Sequence, residues 1–565
     1  MKTLIYIFLT LVISNSISFA QIPLDYPFKT LLDEIVNLYI TGVENGDIFT
    51  KKYPPSNPEY NLPLWSYPLL NPGEDRGYDI ALDPEGFVYI AGYIFNAVTN
   101  SNDLFLIKHN SGSGDTIWTR KYVSNFDDKA YGIALDEDQN IYVTGYKSNI
   151  NNNKNLLLLK YNEYGNLINK HEYNNLVYNG DEVGTDVLVD KGFVYVAGYT
   201  YQGERSLNDL ILLTYPKDSP KPSDTIIYRK NGTNETPTSF LITYKSGDRI
   251  VKSRLGVSSV TENLITNIKS DYLTLYFNGD QYNTLAWAKT FNGTGNGNDV
   301  ATDLSTDGFG NLYVTGYSNR SIINPYDFAT IKYNYTNGSY GWNDAVKYFN
   351  YGTGNGDDRA SSIKLKNNKI YVSGTSQDAP NGIYTKIYEQ NGGVITQTWD
   401  RVFYPSFTKS DNYNSMFKAS KIELDSSGNL IVIAFAWNNT ESKYAVIKYD
   451  SLGNVLYTID ETLSDNLSNR NITEQNSPDQ YVLAQNFPNP FNPNTKIYYS
   501  IPKEGNIRIS VYNISGQLIA DLVNEFKATG QYEIEFDGSS YASGIYFYKI
   551  ESGEFSDTRR MILAK

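Results

Sequence analysis

Acidic side chains recur at one position of a repeated sequence unit, and carboxylates at such a spacing can hold a cation or the basic group of a ligand. Each acid stands four residues ahead of the same point in a strand-like run, so a closed repeat would bring them to one rim. The alternative is that each carboxylate accepts backbone N–H groups in its own loop, as aspartate does in turns. The five acids are Asp75, Asp128, Glu182, Asp299 and Asp358.

The unit that must position these acids is clearest between Val300 and Asn334. An alternating run, the turn DGFGN, the β-branched and aromatic run LYVTGY and the later FATIKYN predict three strands. Trp342 marks a fourth strand. One such sheet cannot bury both faces alone, so the repetition predicts blades packed around an axis.

A tyrosine in the second strand of each unit measures the repeat. Tyr89, Tyr142, Tyr195, Tyr313 and Tyr371 hold this position, with Ile431 as a sixth member. Successive members are 53 to 60 residues apart, except for one gap of 118 residues. This gap is two repeat lengths, so it requires a hidden copy between Pro237 and Asn278. The count predicts seven blades. The fold class is therefore all-β: a seven-bladed β-propeller over residues 71–463, followed by a small C-terminal antiparallel β-sandwich.

The core D-x-x-G-N-x-Y-V-x-G-Y and the later D-x-x-x-x-K-Y resemble the bacterial β-propeller repeat family called SBBP. The resemblance implies a fold and no particular chemistry, because propellers host binding, scaffolding and catalysis alike. Two strands compete to close the last blade. Either Leu64–Tyr67 supplies its outer strand, which would leave no free sheet edge, or Val455–Asp460 completes it locally.

Composition removes several classes of chemistry. There is no cysteine, so disulfides, thiol nucleophiles and cysteine-bound metals are excluded. The net charge of −14 with no basic patch argues against nucleic acid as a partner. Of the two histidines, His109 holds a repeat position that is aromatic elsewhere, and His171 falls in a fourth strand. Both are interpreted as structural. No cofactor or metal site is predicted, and calcium at the acidic rim is unsupported by a complete calcium-loop motif.

The first seventy residues hold a predicted export signal. Residues 1–20 contain Lys2, an apolar run too short to span a bilayer, and small residues ahead of a cleavage point between Ala20 and Gln21. No other run predicts a transmembrane segment. Residues 21–70 form an N-terminal segment in which Phe28, Leu31, Leu32, Ile35 and Tyr39 have helical spacing, which predicts one short amphipathic helix.

The C-terminal end changes character after a polar linker at residues 464–480. Residues 481–565 contain six or seven short alternating runs separated by Gly, Pro and Asn, which predict the sandwich. They resemble the type A sorting domain of type IX (Por) secretion cargo. The resemblance rests on Asn486, Pro488, Asn489, Pro490, Phe491, Gly516, Gly530, Gly544 and the terminal Lys565.

This resemblance implies export in two steps, with the type IX translocon and its sortase as partners and a location outside the cell or on the outer-membrane surface. For the propeller itself we favour a non-catalytic module that binds a glycan or a protein through Tyr- and Asn-rich loops. The alternative is a glycoside hydrolase or polysaccharide lyase with carboxylates and tyrosine at the channel mouth. A purely structural role in a surface assembly is a third reading.

Overall fold

The protein is described here by a computed structural model, which divides into two compact units, Met1–Thr462 and Leu463–Lys565. The described residues are 29–33, 37–44, 47–54, 63–69, 73–190, 192–203, 208–219, 221–229, 233–243, 253–263, 270–279, 284–295, 297–319, 326–342, 346–349, 357–376, 382–391, 394–403, 417–425, 427–437, 442–460, 481–483, 486, 491–501, 503–527, 530–553 and 555–564.

The first unit contains, among its described residues, eight four-stranded antiparallel sheets whose strands follow in chain order. The first two sheets hold β1 (Lys29–Leu32), β2 (Leu38–Glu44), β3 (Asp47–Tyr53) and β4 (Trp65–Leu69), then β5 (Arg76–Leu82), β6 (Phe87–Asn96), β7 (Ser101–Asn110) and β8 (Thr116–Tyr122). The next two hold β9 (Asp128–Leu135), β10 (Ile141–Ser148), β11 (Lys154–Tyr161) and β12 (Leu167–Tyr173), then β13 (Glu182–Asp190), β14 (Phe193–Tyr201), β15 (Asn208–Pro216) and β16 (Asp224–Tyr228).

The remaining four sheets have the same order. The fifth and sixth hold β17 (Thr233–Thr243), β18 (Ser253–Asn263), β19 (Ser270–Gly279) and β20 (Leu285–Phe291), then β21 (Asp299–Thr306), β22 (Leu312–Ser318), β23 (Asp327–Tyr333) and β24 (Lys347–Phe349). The last two hold β25 (Asp358–Lys366), β26 (Lys369–Ser376), β27 (Gly382–Asn391) and β28 (Val394–Phe403), then β29 (Phe417–Leu424), β30 (Leu430–Trp437), β31 (Ser442–Tyr449) and β32 (Val455–Asp460).

The middle strands carry the core. The second and third strands of a sheet are buried on both faces, so they read as nearly continuous apolar runs such as IYVTGY and NLLLLKY. The fourth strands alternate between exposed and half-buried residues, as an outer strand should. Each hydrophobic cluster joins two neighbouring sheets; one example contains Tyr89 and Leu106 of the second sheet with Val143 and Leu159 of the third.

Apolar packing between the first and eighth sheets closes the ring. Leu38 and Phe49 share a core with Ile433 and Val446, and the hydroxyl of Tyr53 is hydrogen-bonded to that of Tyr444. Val455–Asp460 pairs with β31 and completes the eighth sheet from its own sequence, whereas Trp65–Leu69 is the fourth strand of the first sheet. Of the two closing strands considered, the local one is therefore correct.

The propeller and the hidden copy near residue 250 are confirmed, and the blade count is corrected from seven to eight. The missing blade is the first, which occupies part of the segment that the sequence assigned to residues 21–70 outside the propeller. The predicted helix is wrong: Leu31 and Leu32 end one strand and Tyr39 lies in the next. Apolar residues of two paired strands coincide here with helical spacing. Phe28 and Ile35 lie outside the described residues.

A bulge in the first strand recurs from sheet to sheet. In the second sheet the register shifts between Gly77 and Asp79, opposite Gly92 of the second strand. The extra residue turns the first strand so that its backbone carbonyl approaches the glycine of its neighbour, and this explains the G of the repeated G-Y pair. The glycines in this position are Gly92, Gly145, Gly198, Gly316 and Gly374.

The second unit is an antiparallel sandwich, as predicted. One sheet has the order β33 (Val482–Leu483), β34 (Asn494–Ile501), β37 (Gly530–Asp537), and the other has the order β36 (Leu518–Lys527), β35 (Gly505–Asn513), β38 (Gly544–Ser552), β39 (Phe555–Leu563). Their inner faces share one apolar core that includes Ile497, Ile509, Phe536 and Tyr548.

Candidate functional site

The five recurring acids are buried at the starts of the first strands, each in its own sheet. All are at most 1% exposed. Asp75 Oδ1 accepts the amide of Phe95 at 2.8 Å, and Asp128 Oδ2 accepts that of Ser124 at 3.0 Å. Asp299 accepts the amides of Gly293 at 2.6 Å and Asn319 at 3.1 Å. For Asp75, Asp128 and Asp299 these hydrogen bonds agree with the alternative, in which a carboxylate accepts backbone N–H groups of the loops around its own sheet.

Burial also changes how these carboxyl groups titrate. It raises the pKa of Asp128 and of Asp299 to about 6 and that of Glu182 to about 7, although hydrogen bonds from neighbouring loops oppose the rise. In the chain ranges described above, no three His, Asp or Glu side chains are grouped so that they could hold a metal ion. Calcium at the rim stays a prediction without a cluster to support it.

Glu182→Gln should make the protein more stable in alkaline solution. With a native pKa of about 7 against an ordinary value of 4.5, native Glu182 retains a proton that the unfolded chain releases. Its contribution is therefore complete below pH 4.5 and is lost as the pH rises through 7. We expect the variant to gain about 2 kcal/mol at pH 8 and almost nothing at pH 4.5 by urea denaturation. Glu85→Gln, at an exposed turn, is the matched control. An equal gain at both pH values would contradict the assignment.

The aspartates that open the hairpin turns pair with the tyrosines of the second strands. Asp83 Oδ2 accepts the hydroxyl of Tyr89 at 2.9 Å, and Asp136 Oδ2 accepts that of Tyr142 at 3.0 Å. Burial, then the adjacent carboxylate, raises the pKa of both tyrosines. A phenol held in this way is a poor general base. DEDQN is thus a turn, as predicted, and the same pairing occurs in the first sheet through Asp33, which the sequence reading missed.

The two histidines occupy structural positions. The ring of His109 is packed between those of Trp65 and Tyr67, with distances between ring centres of 6.2 Å and 4.5 Å. Burial lowers the pKa of His109 to about 4. The Nδ1 atom of His171 lies 2.7 Å from the hydroxyl of Tyr215, and burial lowers its pKa as well. Both rings are therefore neutral at physiological pH, in agreement with the structural interpretation.

A second set of charges, which the sequence reading did not recognise as a site, lines the central channel. The first strands of successive sheets contact one another and surround this channel. Directly after the bulges, Asp79, Asp186 and Asp303 come from the second, fourth and sixth sheets. Lys29 reaches them from the first sheet, with its Nζ 3.2 Å from Asp79 Oδ1. The signal available in the sequence was the equivalent position of these aspartates in the repeat.

Opposite charges in the channel act on one another. The Asp79 carboxylate, followed by those of Asp186 and Asp303, raises the pKa of the half-exposed Lys29 ammonium. Removal from solvent raises the pKa of Asp186, and the nearby Lys29 ammonium partly offsets this rise. A further ion pair joins Lys364 Nζ to Glu423 Oε2 at 3.2 Å. The channel therefore offers both donors and acceptors.

Asp303 also fastens three sheets together. Its carboxylate accepts the amides of Leu304 at 2.9 Å and Ile363 at 3.1 Å, and the hydroxyls of Ser239 and Ser362, both at 3.1 Å. These partners belong to the fifth, sixth and seventh sheets.

Asp303→Ala is expected to lower the free energy of unfolding by about 2 kcal/mol, because it leaves buried donors without an acceptor. Urea denaturation followed by circular dichroism measures the loss. Asp138→Ala, in an exposed turn, is the control and should change stability by less than about 0.5 kcal/mol. Equal losses in the two variants would show that the carboxylate does not connect the sheets.

The sorting-motif residues in the described chain hold the sandwich together. Asn486 is buried, its amide donates to the hydroxyl of Tyr548 at 2.6 Å, and its side chain donates to Thr495 at 2.9 Å. The backbone amide of Phe491 donates a hydrogen bond to the carbonyl of Ile562 in the last strand at 2.9 Å. Gly516 occupies a turn at φ +78°, and Gly530 and Gly544 begin strands. Pro488, Asn489, Pro490 and Lys565 lie outside the described residues, as do Ala20 and Gln21.

Two family models match the chain. One, the secretion system C-terminal sorting domain, matches residues 485–564, which cover nearly all of the sandwich. Residues 485–564 are a secretion system C-terminal sorting domain. The other, a β-propeller repeat, matches residues 117–152 across the second and third sheets. With this sorting domain the protein is type IX cargo, secreted to the cell surface or beyond it. The predicted signal peptide at residues 1–20 stays a prediction.

Solved structures with a similar fold share little sequence with this chain. The polysaccharide lyase Uly1 is 11% identical, with 67% of this chain and 90% of that chain covered at a TM-score of 0.38. The periplasmic gluconolactonase PpgL of Pseudomonas aeruginosa is 12% identical, and the match covers 75% of this chain and 94% of that chain at a TM-score of 0.37. The β-propeller domain of the Trilobed protease from Pyrococcus furiosus is 8% identical, and the match covers 68% of this chain and 95% of that chain at a TM-score of 0.34.

No curated protein matches the chain. Within the residues that the structure describes, there is no helix of the length and apolarity needed to cross a bilayer.

Proposed function

We propose that this type IX cargo is a non-catalytic binding module whose ligand site lies on two adjacent loops of the third sheet. The observation that carries the proposal is a group of large apolar side chains that point into solvent. Ile150 lies in the turn between β10 and β11, and Leu176 and Val177 lie in the link to the fourth sheet; they are 83%, 83% and 80% exposed. Such residues in neighbouring loops are typical of interaction sites.

Hydrogen bonds order the backbone of these loops, so the apolar side chains are held in fixed positions. The side-chain amide of Asn153 donates to the carbonyl of Asn179 at 2.8 Å, and the amide of Lys154 donates to Asp181 at 3.0 Å. A preorganised loop loses little entropy on binding. The aliphatic side chains favour a protein surface as the ligand, and the partly exposed ring of Tyr178 beside them also suits a sugar.

The hydrogen bonds of the acidic groups support a non-catalytic role. Glycoside hydrolysis needs two carboxyl groups open to the substrate across the scissile bond. Here the rim acids are buried, and Asp83 and Asp136 accept hydrogen bonds from the hydroxyl groups of Tyr89 and Tyr142, which are themselves buried. The channel carboxylates Asp79 and Asp303 are hydrogen-bonded between sheets.

The test applies the full-length protein to a glycan array and to an array of immobilised extracellular proteins, with and without calcium, and incubates it with polysaccharides. We expect binding without release of reducing or unsaturated ends. The double variant Leu176→Asp, Val177→Asp should bind at least tenfold more weakly, whereas Ile514→Asp, an exposed apolar position in the sorting domain, should bind normally. Release of chain ends would favour the enzyme.

A further inference from the structure

Indole rings occupy the grooves between neighbouring sheets at five junctions of the described chain. In each, the ring nitrogen of a tryptophan donates a hydrogen bond to the next sheet. Four of the acceptors are backbone carbonyls in the turn between its third and fourth strands. The pairs are Trp65 with Ser111 at 2.8 Å, Trp118 with Glu163 at 3.2 Å, Trp287 with Tyr335 at 3.0 Å, Trp399 with Ser451 at 3.4 Å, and Trp342 with the side chain of Gln390 at 3.1 Å.

Aromatic rings wall these grooves. The centre of the Trp65 ring lies 6.1 Å from that of Tyr39 in its own sheet and 6.2 Å from that of His109 in the next sheet. Trp287 is stacked on Tyr276 at 5.1 Å and lies 5.7 Å from Tyr333 of the next sheet. His109 and Tyr333 hold the same repeat position in the third strand of the next sheet, so an aromatic ring on that side of the groove is a repeated feature of these two junctions.

The junction between the third and fourth sheets keeps the groove but lacks the indole. Lys160 is paired with Asn169 across β11 and β12, in the register in which Lys52 is paired with Trp65 and Lys108 with Trp118. Both tyrosine positions are retained as Tyr142 and Tyr215. The structure has a small pocket open to solvent at this place, with Tyr142, Lys160, His171 and Tyr215 in its lining.

The hydrogen-bond acceptor for an indole is also retained. At the junction of the first and second sheets, the carbonyl of Ser111 accepts two donors, Lys52 Nζ and Trp65 Nε1, both at 2.8 Å. At the third junction the equivalent carbonyl, that of Lys217, accepts Lys160 Nζ at 2.8 Å. A carbonyl oxygen has two lone pairs, so it can accept a second N–H in the direction that the indole uses elsewhere.

The charges around the groove favour a neutral ring. Lys160 Nζ lies 3.8 Å from Asp218 and Lys217 Nζ lies 3.3 Å from Glu137, so both ammonium groups already face carboxylates. At the edge, Lys170 is partly exposed, and its Nζ is paired with Glu172 at 2.9 Å.

We propose that this groove binds a tryptophan side chain of another polypeptide, with the indole between Tyr142 and Tyr215 and its N–H donated to the carbonyl of Lys217. A polypeptide is the occupant because tryptophan side chains fill every equivalent groove named above. The site is independent of the loops assigned to the proposed function. Those loops connect the opposite ends of the strands, so either site can fail without the other.

The experiment titrates full-length protein with N-acetyl-5-fluorotryptophan amide and follows the fluorine resonance by NMR. We expect a dissociation constant on the order of 0.1–1 mM. Asn169→Trp should fill the groove from within, weaken binding at least tenfold and raise the midpoint of thermal unfolding. Asn506→Trp, at an exposed position near the start of β35 in the sorting domain, adds a tryptophan elsewhere and should bind as the natural protein does. Asn169→Arg fills the groove with a flexible chain and replaces Asn169→Trp if that variant does not fold.

Binding that the folded Asn169 variant weakens and Asn506→Trp does not would support the proposal. Failure to bind at 10 mM ligand, an order of magnitude above the expected constant, would overturn it. So would binding that the Asn169 variants leave unchanged. Binding of free 5-fluoroindole without binding of the amide would overturn the assignment of a polypeptide, because the groove would then have no room for the attached backbone.

Discussion

Trp287→Ala is expected to lower the free energy of unfolding of the propeller by about 3–5 kcal/mol. The indole is 7% exposed, is stacked nearly parallel on Tyr276 and donates to the carbonyl of Tyr335 in the sixth sheet. Alanine removes the ring contacts and the link between two sheets, and leaves a cavity with rigid walls. Urea denaturation of the full-length protein, followed by circular dichroism, measures the loss in the propeller transition.

Trp287→Phe separates the two contributions. Phenylalanine keeps a ring in the groove and removes only the N–H donor, so we expect a loss of about 1–2 kcal/mol. A loss below about 1 kcal/mol in the alanine variant would show that the indoles do not hold the sheets together. In that case Asn169→Trp should bring no thermal stabilisation either.

Gly316→Ala is expected to cost about 3 kcal/mol, at the upper end of the range for overpacking. A β-carbon at this position would lie 1.9 Å from the carbonyl oxygen of Val300 and 2.7 Å from the hydroxyl of Tyr272. The carbonyl belongs to the bulged first strand and cannot move without breaking the ladder. The same denaturation experiment measures the loss.

Gly308→Ala is the matched control in the same sheet. A β-carbon there meets no atom within 4 Å, and the residue lies in an exposed turn. We expect a change within about 0.5 kcal/mol of zero. If Gly316→Ala were as well tolerated, the bulge would have to relax easily, and the glycines of the repeat would need another explanation.

The local sequence carried most of the propeller fold. Turn residues, alternating runs and the tyrosine spacing predicted four-stranded units and even the degenerate unit, which forms the fifth sheet. The first sheet was missed because it lacks the D-x-x-G-N motif. Its buried second strand is an apolar run that, beside Leu31 and Leu32, has helical spacing by coincidence.

The candidate sites depended more on the tertiary structure. The sequence identified the five rim acids but not their burial, since a carboxylate in a loop has the same sequence signature whether it faces solvent or backbone amides. It also contained Asn169 and the tryptophans without showing that they share one position. That equivalence appears only from the strand register, in which Lys160 is paired with Asn169 as Lys52 is with Trp65.

By itself the sequence determined the all-β repeat, the aspartate turns and the C-terminal sorting domain, because each is encoded in side chains close together along the chain. Only the tertiary structure decided the number of blades, the closure by packing of the first sheet on the eighth, the charges of the central channel and the open groove beside Asn169. These features arise between sheets, where residues about fifty or more positions apart meet. Contacts at that separation depend on how whole sheets pack, and no local pattern specifies them.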